Sequence, residues 1–155
     1  MAKKFKYNWK EFTLRAAFKG TPAKLFNYWT EKRLLCKWFL ADAEMQLKKN
    51  GDYMFQWIEG SREIGKILEV RKNSLLRFTF AGGKCEVNFK KSGKECIVTL
   101  KQYEIPDDQI NRIRIHMGCQ IGWVFFFSNL KSVIESGTDL REHNPKHLKE
   151  GTVFY

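Results

Sequence analysis

The chain has 155 residues and a mass of 18.4 kDa, is 43% apolar and 15% aromatic, and carries a formal charge of +11. One domain of that length can hide enough surface to fold without staples, and so aromatic a composition excludes a disordered chain. No apolar run approaches the ~20 residues of a membrane helix, and the start Met1-Ala2-Lys3-Lys4-Phe5-Lys6 lacks the apolar stretch of a secretory signal.

The first predicted element is a strand in which Phe12, Leu14, Ala16 and Phe18 alternate with mostly polar neighbours, one face buried and one wet. Gly20 ends it. Thr21 reads as an N-cap with Pro22 at the first helical position, where proline's missing N–H costs least. That helix carries Leu25, Phe26 and Trp29. Thr30 reads as the cap of a second short helix carrying Leu34, Leu35 and Trp38.

Strands follow. Residues 43–47 are a weak candidate, and Lys48-Lys49-Asn50-Gly51 is a turn of the Asn-Gly kind. Tyr53, Phe55 and Trp57 share a face of the next strand. A strand over 64–70 turns at Arg71-Lys72-Asn73-Ser74 into Leu76, Phe78 and Phe80. Gly82-Gly83 turns that strand into Cys85, Val87 and Phe89, and Lys91-Ser92-Gly93-Lys94 leads to Val98 and Leu100. Short turns between successive strands imply hairpins, hence an antiparallel meander.

From 111 to 136 the period becomes helical. Ile113, Met117, Gln120, Trp123, Phe127, Leu130 and Ile134 form a stripe at three- and four-residue steps, and Gly137 suits the stop. Such a helix spans ~39 Å, against ~23 Å for a seven-residue strand. The economical burial of both apolar faces is a sheet curled around that helix, an α+β helix grip with a seam between them. Residues 1–142 read as one domain and 143–155 as a tail whose Val153, Phe154 and Tyr155 could dock on the body or on a second copy.

These residues resemble one family. Trp38-Phe39-Leu40, the run Gly65-Lys66-Ile67-Leu68-Glu69-Val70 leading to Leu76-Arg77-Phe78-Thr79-Phe80, and above all Gly122-Trp123 with Phe127, Asn129-Leu130-Lys131, Ile134-Glu135 and Gly137 are similar to the activator of heat-shock protein 90 ATPase homologue family. That family lies within the START-like (SRPBCC, helix-grip) superfamily. The similarity runs from about Phe12 to Arg141. It implies the curved sheet of about six or seven strands, the long C-terminal helix and a cavity between them. The namesake domain belongs to a co-chaperone, and wider relatives bind lipids, sterols, hormones or polyketide-like molecules, a few being cyclases. Function does not follow from fold alone. Gly118 inside the long helix and the tail depart from the family pattern.

The expected function is non-catalytic binding of a hydrophobic or amphipathic small molecule in that cavity. Its expected lining is Trp38, Tyr53, Phe55, Trp57, Phe78, Phe80, Phe89, Trp123 and Phe127, with Met117, and with His116 and Gln120 to fix a polar end. The same aromatics could equally fill a solid core. Two alternatives stand beside it: a protein-interaction module of the co-chaperone, stress-response type, and a cyclase-like or hydrolase-like enzyme using His116.

No nucleophile elbow, Ser-His-Asp order or paired carboxylate stands out, and no cofactor or metal is expected. His143 and His147 are four apart, but Pro145 between them argues against a regular helix. Glu104, Asp107 and Asp108 suit a helix N-terminus. Cys36, Cys85, Cys96 and Cys119 form no CxxC and read as reduced thiols of a cytoplasmic protein, at least two of them in the core. Lysines at the predicted turns form a basic rim that would suit an acidic partner such as a chaperone. No nucleic-acid motif is present.

Overall fold

A computed structural model describes residues 2–151; Val153, Phe154 and Tyr155, read above as a docking tail, lie outside the described residues. Strand β1 (Phe12–Lys19) is followed by helices α1 (Pro22–Thr30) and α2 (Lys32–Leu35). Then come β2 (Asp42–Met45), β3 (Asp52–Gln56), β4 (Arg62–Arg71), β5 (Leu75–Phe80), β6 (Gly83–Ser92) and β7 (Glu95–Tyr103). The strands form one antiparallel sheet in the order β1-β7-β6-β5-β4-β3-β2. The paired helices therefore carry the chain from one edge of the sheet to the other. This is the α+β helix grip expected from the meander and the long final helix.

Turn chemistry sets the register. Gly93, at φ 60°, opens the two-residue connection between the paired Ser92 and Glu95. The β5–β6 turn sits one residue earlier than the Gly82-Gly83 pair suggests. Ala81 and Gly82 take the two left-handed positions, at φ 49° and 78°. Gly83 instead starts β6, where an added Cβ would lie 2.6 Å from the Tyr103 carbonyl oxygen. On β4, Gly65 faces Tyr53 across the ladder, and the Tyr53 ring folds over it to donate its hydroxyl to the Thr79 carbonyl.

Thr21 caps α1 through its hydroxyl, 3.1 Å from the Lys24 N–H, with Pro22 just inside. Thr30 does not cap α2. Its hydroxyl donates back to the Phe26 carbonyl, 2.9 Å away, and Glu31 takes the cap position without a side-chain bond. Trp29 of α1, and Trp38 and Phe39 of the segment after α2, enter the core. There Phe39 stacks between Trp38 and Trp123, with centroids 5.1 Å away on both sides, and Trp29 stacks on the Trp123 ring as well, at 5.6 Å.

The final helix is not one regular helix. Asp108 caps a short α3 (Gln109–Asn111) by accepting from the Ile110 and Asn111 N–H groups. A π-helical segment (Arg112–Met117) follows, and then α4 (Gly118–Ser136), closed by Gly137 at φ 71°. About 4.4 residues per turn replace 3.6 across the π-segment, which rotates everything before it relative to α4. Ile113 and Met117, placed on the inward stripe by their three- and four-residue spacing, face solvent, while His116, seven residues before Trp123, is fully buried. A last short helix, α5 (Pro145–Lys149), forms after His143 and includes His147. Pro145 occupies its first turn, and Asn144 caps it.

Candidate functional site

Against the sheet, Trp123, Phe126, Phe127 and Leu130 of α4 are buried. The curve is not filled everywhere. A cleft of about 330 Å³ opens between α4 and the β3–β4 and β5–β6 turns, within the range of small-molecule sites. Its apolar wall consists of Phe39, Trp57, Phe80, Trp123 and Phe126. Gly122 and Cys119 line it from the helix. Ile58, Glu59, Ser61, Arg62 and Glu63 line it from the β3–β4 side, Ala81 from the β5–β6 turn and Arg141 from the segment after the helix.

Each wall residue is held by its own contacts. Phe80 lies 5.4 Å from the Trp123 ring, Trp57 5.6 Å edge-on to Phe39, and Phe126 4.9 Å edge-on to Phe39. The Trp123 indole N–H donates to Gln102 Oε1 at 3.0 Å, which fixes the ring plane. Gln102 is completely buried, its Nε2 finds no regular acceptor among the described residues, and its amide lies beside the Cys119 thiol. Burial raises the Cys119 thiol above its ordinary value, outweighing the Gln102 amide that lowers it, and nearby Glu63 adds a smaller rise. Buried Cys85 is raised still more. Neither is a thiolate nucleophile at neutral pH.

The mouth carries charge. Glu63 Oε1 accepts the Ala81 N–H at 2.8 Å and so holds the left-handed turn in place. Ser61 donates to Glu59, and Arg62 Nε donates to Gln56 at 2.9 Å. The end of the cleft is closed by a polar clasp. Arg141 donates to the Leu40 and Cys36 carbonyls at 3.0 and 2.9 Å and grips Asp139 with Nε and Nη2. Asn129, also fully buried, donates to the Trp38 carbonyl and to Asp139 and accepts the Leu140 N–H. Burial alone would raise the Asp139 carboxyl. Hydrogen bonds from Arg141, Asn129 and His143 outweigh it and hold the group far below the usual carboxylate range.

Of the residues expected to line a pocket, Trp57, Phe80 and Trp123 do so. Trp38, Tyr53, Phe55, Phe78, Phe89 and Phe127 are buried among other rings instead. Met117 is exposed, and Gln120 is half-buried outside the cleft. His116 points elsewhere. Its Nδ1 lies 2.8 Å from the Trp9 carbonyl and must donate to it. Its Nε2 lies 2.8 Å from the Tyr7 hydroxyl, from which a neutral imidazole accepts. Sequence reasoning missed Cys119, Gly122, Phe126 and the Arg141–Asp139–Asn129 clasp. Asn129, a polar residue inside the strongest motif, and Arg141, just beyond it, are the available signal for the clasp.

His143 and His147 pair with Asp139 and Glu142 at 2.7 and 2.8 Å. Among the described residues no group of three or more His, Cys, Asp or Glu is arranged to hold a metal, and no helix is long and apolar enough to cross a membrane. All four cysteines are free thiols, with Cys85 and Cys96 buried.

Residues 19–135 match the family model described as activator of Hsp90 ATPase homolog 1-like protein. The chain belongs to this family. No curated protein matches it. Members of the same fold have been solved. A Staphylococcus saprophyticus protein superposes with a TM-score of 0.72 at 17% identity, covering 84% of this chain and 95% of its own. The Aha1 dimer of Colwellia psychrerythraea gives 0.71 at 17%, covering 83% and 98%. A conserved Enterococcus faecalis protein of unknown function gives 0.70 at 19%, covering 92% and 84%. At these identities the likeness speaks for the fold alone, and the family's helix grip is what they share with this chain.

Proposed function

We propose that the protein is a non-catalytic, cytoplasmic START-like binder that takes a hydrophobic or amphipathic small molecule into the cleft between sheet and C-terminal helix. The observation that carries this is the cleft of about 330 Å³ walled by five aromatic rings and rimmed by Ser61, Arg62 and Glu63. An apolar body would lie against Trp57, Phe80 and Trp123, and a polar end would meet the rim. Burying ~200 Å² of apolar ligand surface stabilises a complex by about 5 kcal/mol before association costs. The raised Cys119 and Cys85 thiols and the engagement of His116 with Tyr7 and Trp9 leave the cleft without a thiolate or imidazole, which supports binding over turnover. Four unpaired cysteines support a reducing, cytoplasmic setting.

The test is a titration with fatty acids and aryl acids followed by tryptophan fluorescence and backbone NMR. Binding should shift the Phe80, Cys119 and Gly122 amides, and Trp57→Ala should weaken it by at least roughly tenfold. If no compound class moves these amides, the binding reading fails.

Family membership favours a second reading, a co-chaperone-type interaction module acting in stress response. The β4–β5 turn and the β6–β7 hairpin bring Asn73, Lys91, Lys94 and Glu95 to one groove beside the start of α1, where the two lysines would meet an acidic partner. The contact would be screened by salt within ~8 Å at physiological strength. A pull-down recovering no chaperone even at low salt counts against it. One relative of the fold is an Aha1 dimer, so the same samples should be weighed by light scattering.

A further inference from the structure

The outer face of the C-terminal helix is apolar over half its length. Ile110, Ile113, Met117, Ile121 and Val124 are 45% to 64% exposed. They recur at three- and four-residue steps and are exposed, whereas His116, Trp123 and Phe126 are buried. Beyond Val124 the same face turns polar, with exposed Ser128, Lys131 and Glu135. The stripe is therefore confined to one end of the molecule. Contiguous exposed apolar patches of this kind usually mark an interaction site.

The charge around the stripe has one sign. No Asp or Glu occurs from Gln109 to Ile134. Arg114 is exposed beside the stripe. The N-terminal segment is bound to the same end: Tyr7 and Trp9 hold His116, and the Arg112 guanidinium lies over the Trp9 ring at 5.6 Å. Those contacts tie the N-terminal segment, with its exposed Lys3, Lys4, Lys6 and Lys10 and the 86% exposed Phe5, to the same end of the helix. The nearest carboxylates are already used. Asp107 pairs with Arg112 at 2.6 Å, Asp108 caps α3, and Glu11 pairs with Lys101 at 3.0 Å.

We propose that this face docks on an anionic lipid bilayer surface, the apolar stripe and Phe5 entering the headgroup boundary while the lysines and Arg114 meet acidic headgroups. An amphipathic face with cations along its border is built for that environment. A second copy of this chain is the poorer occupant. A symmetric contact would oppose Arg114 and the lysine cluster to their own images in a protein already at +11. Cys119, Gly122, Trp123 and Phe126, on the inner side of the same helix, line the cleft. A docked molecule would hold that cleft next to the bilayer.

The test is co-sedimentation with phosphatidylcholine vesicles with and without about 30 mol% phosphatidylserine. The protein should partition to the anionic vesicles only and be released at ~0.5 M salt, where charge contacts are screened. Ile113→Asp with Ile121→Asp should lower partitioning by roughly tenfold or more. A triple Lys3→Glu, Lys4→Glu, Lys6→Glu variant, which leaves the helix untouched, should do the same. Both variants should keep the wild-type circular dichroism spectrum. Absence of binding to anionic vesicles, or binding undiminished in both variants, overturns the proposal. A dimer by light scattering that Ile113→Asp converts to monomer, without vesicle binding, assigns the face to a second copy and overturns it too.

Discussion

Arg141 and Asp139 do more for this molecule than their position after the last long helix suggests. The guanidinium spends its donors on two carbonyls of the 36–40 segment and on one carboxylate. That ties the chain end to the loop bearing Phe39. Breaking such a pair leaves its partners buried without compensation, so Arg141→Ala should lower the unfolding free energy by about 3 kcal/mol in urea denaturation. Asp139 also makes the clasp sensitive to acid. Its folded-state pKa lies below the ordinary carboxylate value of 3.8. Its contribution is therefore fully present above that value and is lost as pH falls toward the folded one. Wild-type stability should drop more steeply below about pH 4 than that of Asp139→Asn, which starts lower but lacks this titration. Parallel acid limbs would remove the assignment. Gly65 is the other decisive single residue. An added Cβ would press on Thr79 Oγ1 and lie 2.6 Å from Tyr53 Cε1. Gly65→Ala should cost about 1–3 kcal/mol by displacing the ring.

Among the elements, the π-segment has the widest consequences. Within it His116 faces inward, where it anchors the N-terminal segment, while Ile113 and Met117 face outward. Gly118 closes this segment in ordinary helical conformation, at φ −60°, and an added Cβ would meet only the Ile113 carbonyl at 3.8 Å. Nothing close to it requires a glycine, so Gly118→Ala should stabilise the protein by about 0.5–1 kcal/mol, read as a raised melting temperature. A lowered one would mean that the π-turn needs glycine's freedom. On the sheet, the β5–β6 turn is set by Ala81 in a left-handed conformation and by the Glu63 carboxylate bound to its N–H. That bond places both residues at the cleft mouth.

For the whole molecule, core and cleft share their walls. Trp123 stacks on Trp29 and Phe39 while presenting an edge to the cleft, whereas Trp57 is half-buried at its border. Trp123→Ala should cost about 3–5 kcal/mol of stability, and Trp57→Ala much less, with denaturant titration separating the two. Only the second is a fair probe of ligand binding.

Much of this architecture was legible in the order of residues. Period-two alternation located the strands, short turns made them a meander, and Thr21-Pro22 and Gly137 marked helix ends, because each depends on neighbours in the chain. The aromatic residues announced a core but not its hollow. Phe55 and Phe78 alternate in their strands just as Trp57 and Phe80 do, yet only the latter pair reaches the cleft. Whether a ring meets another ring or empty space depends on residues far away in sequence, here Phe39, Trp123 and Arg141. The tertiary structure also decided which side chains of 112–117 are buried, since the three- and four-residue stripe includes Met117 and yet His116 is the one that meets the core. The docking of Tyr7 and Trp9 onto that imidazole joins residues more than a hundred positions apart, and no local pattern encodes such a bond.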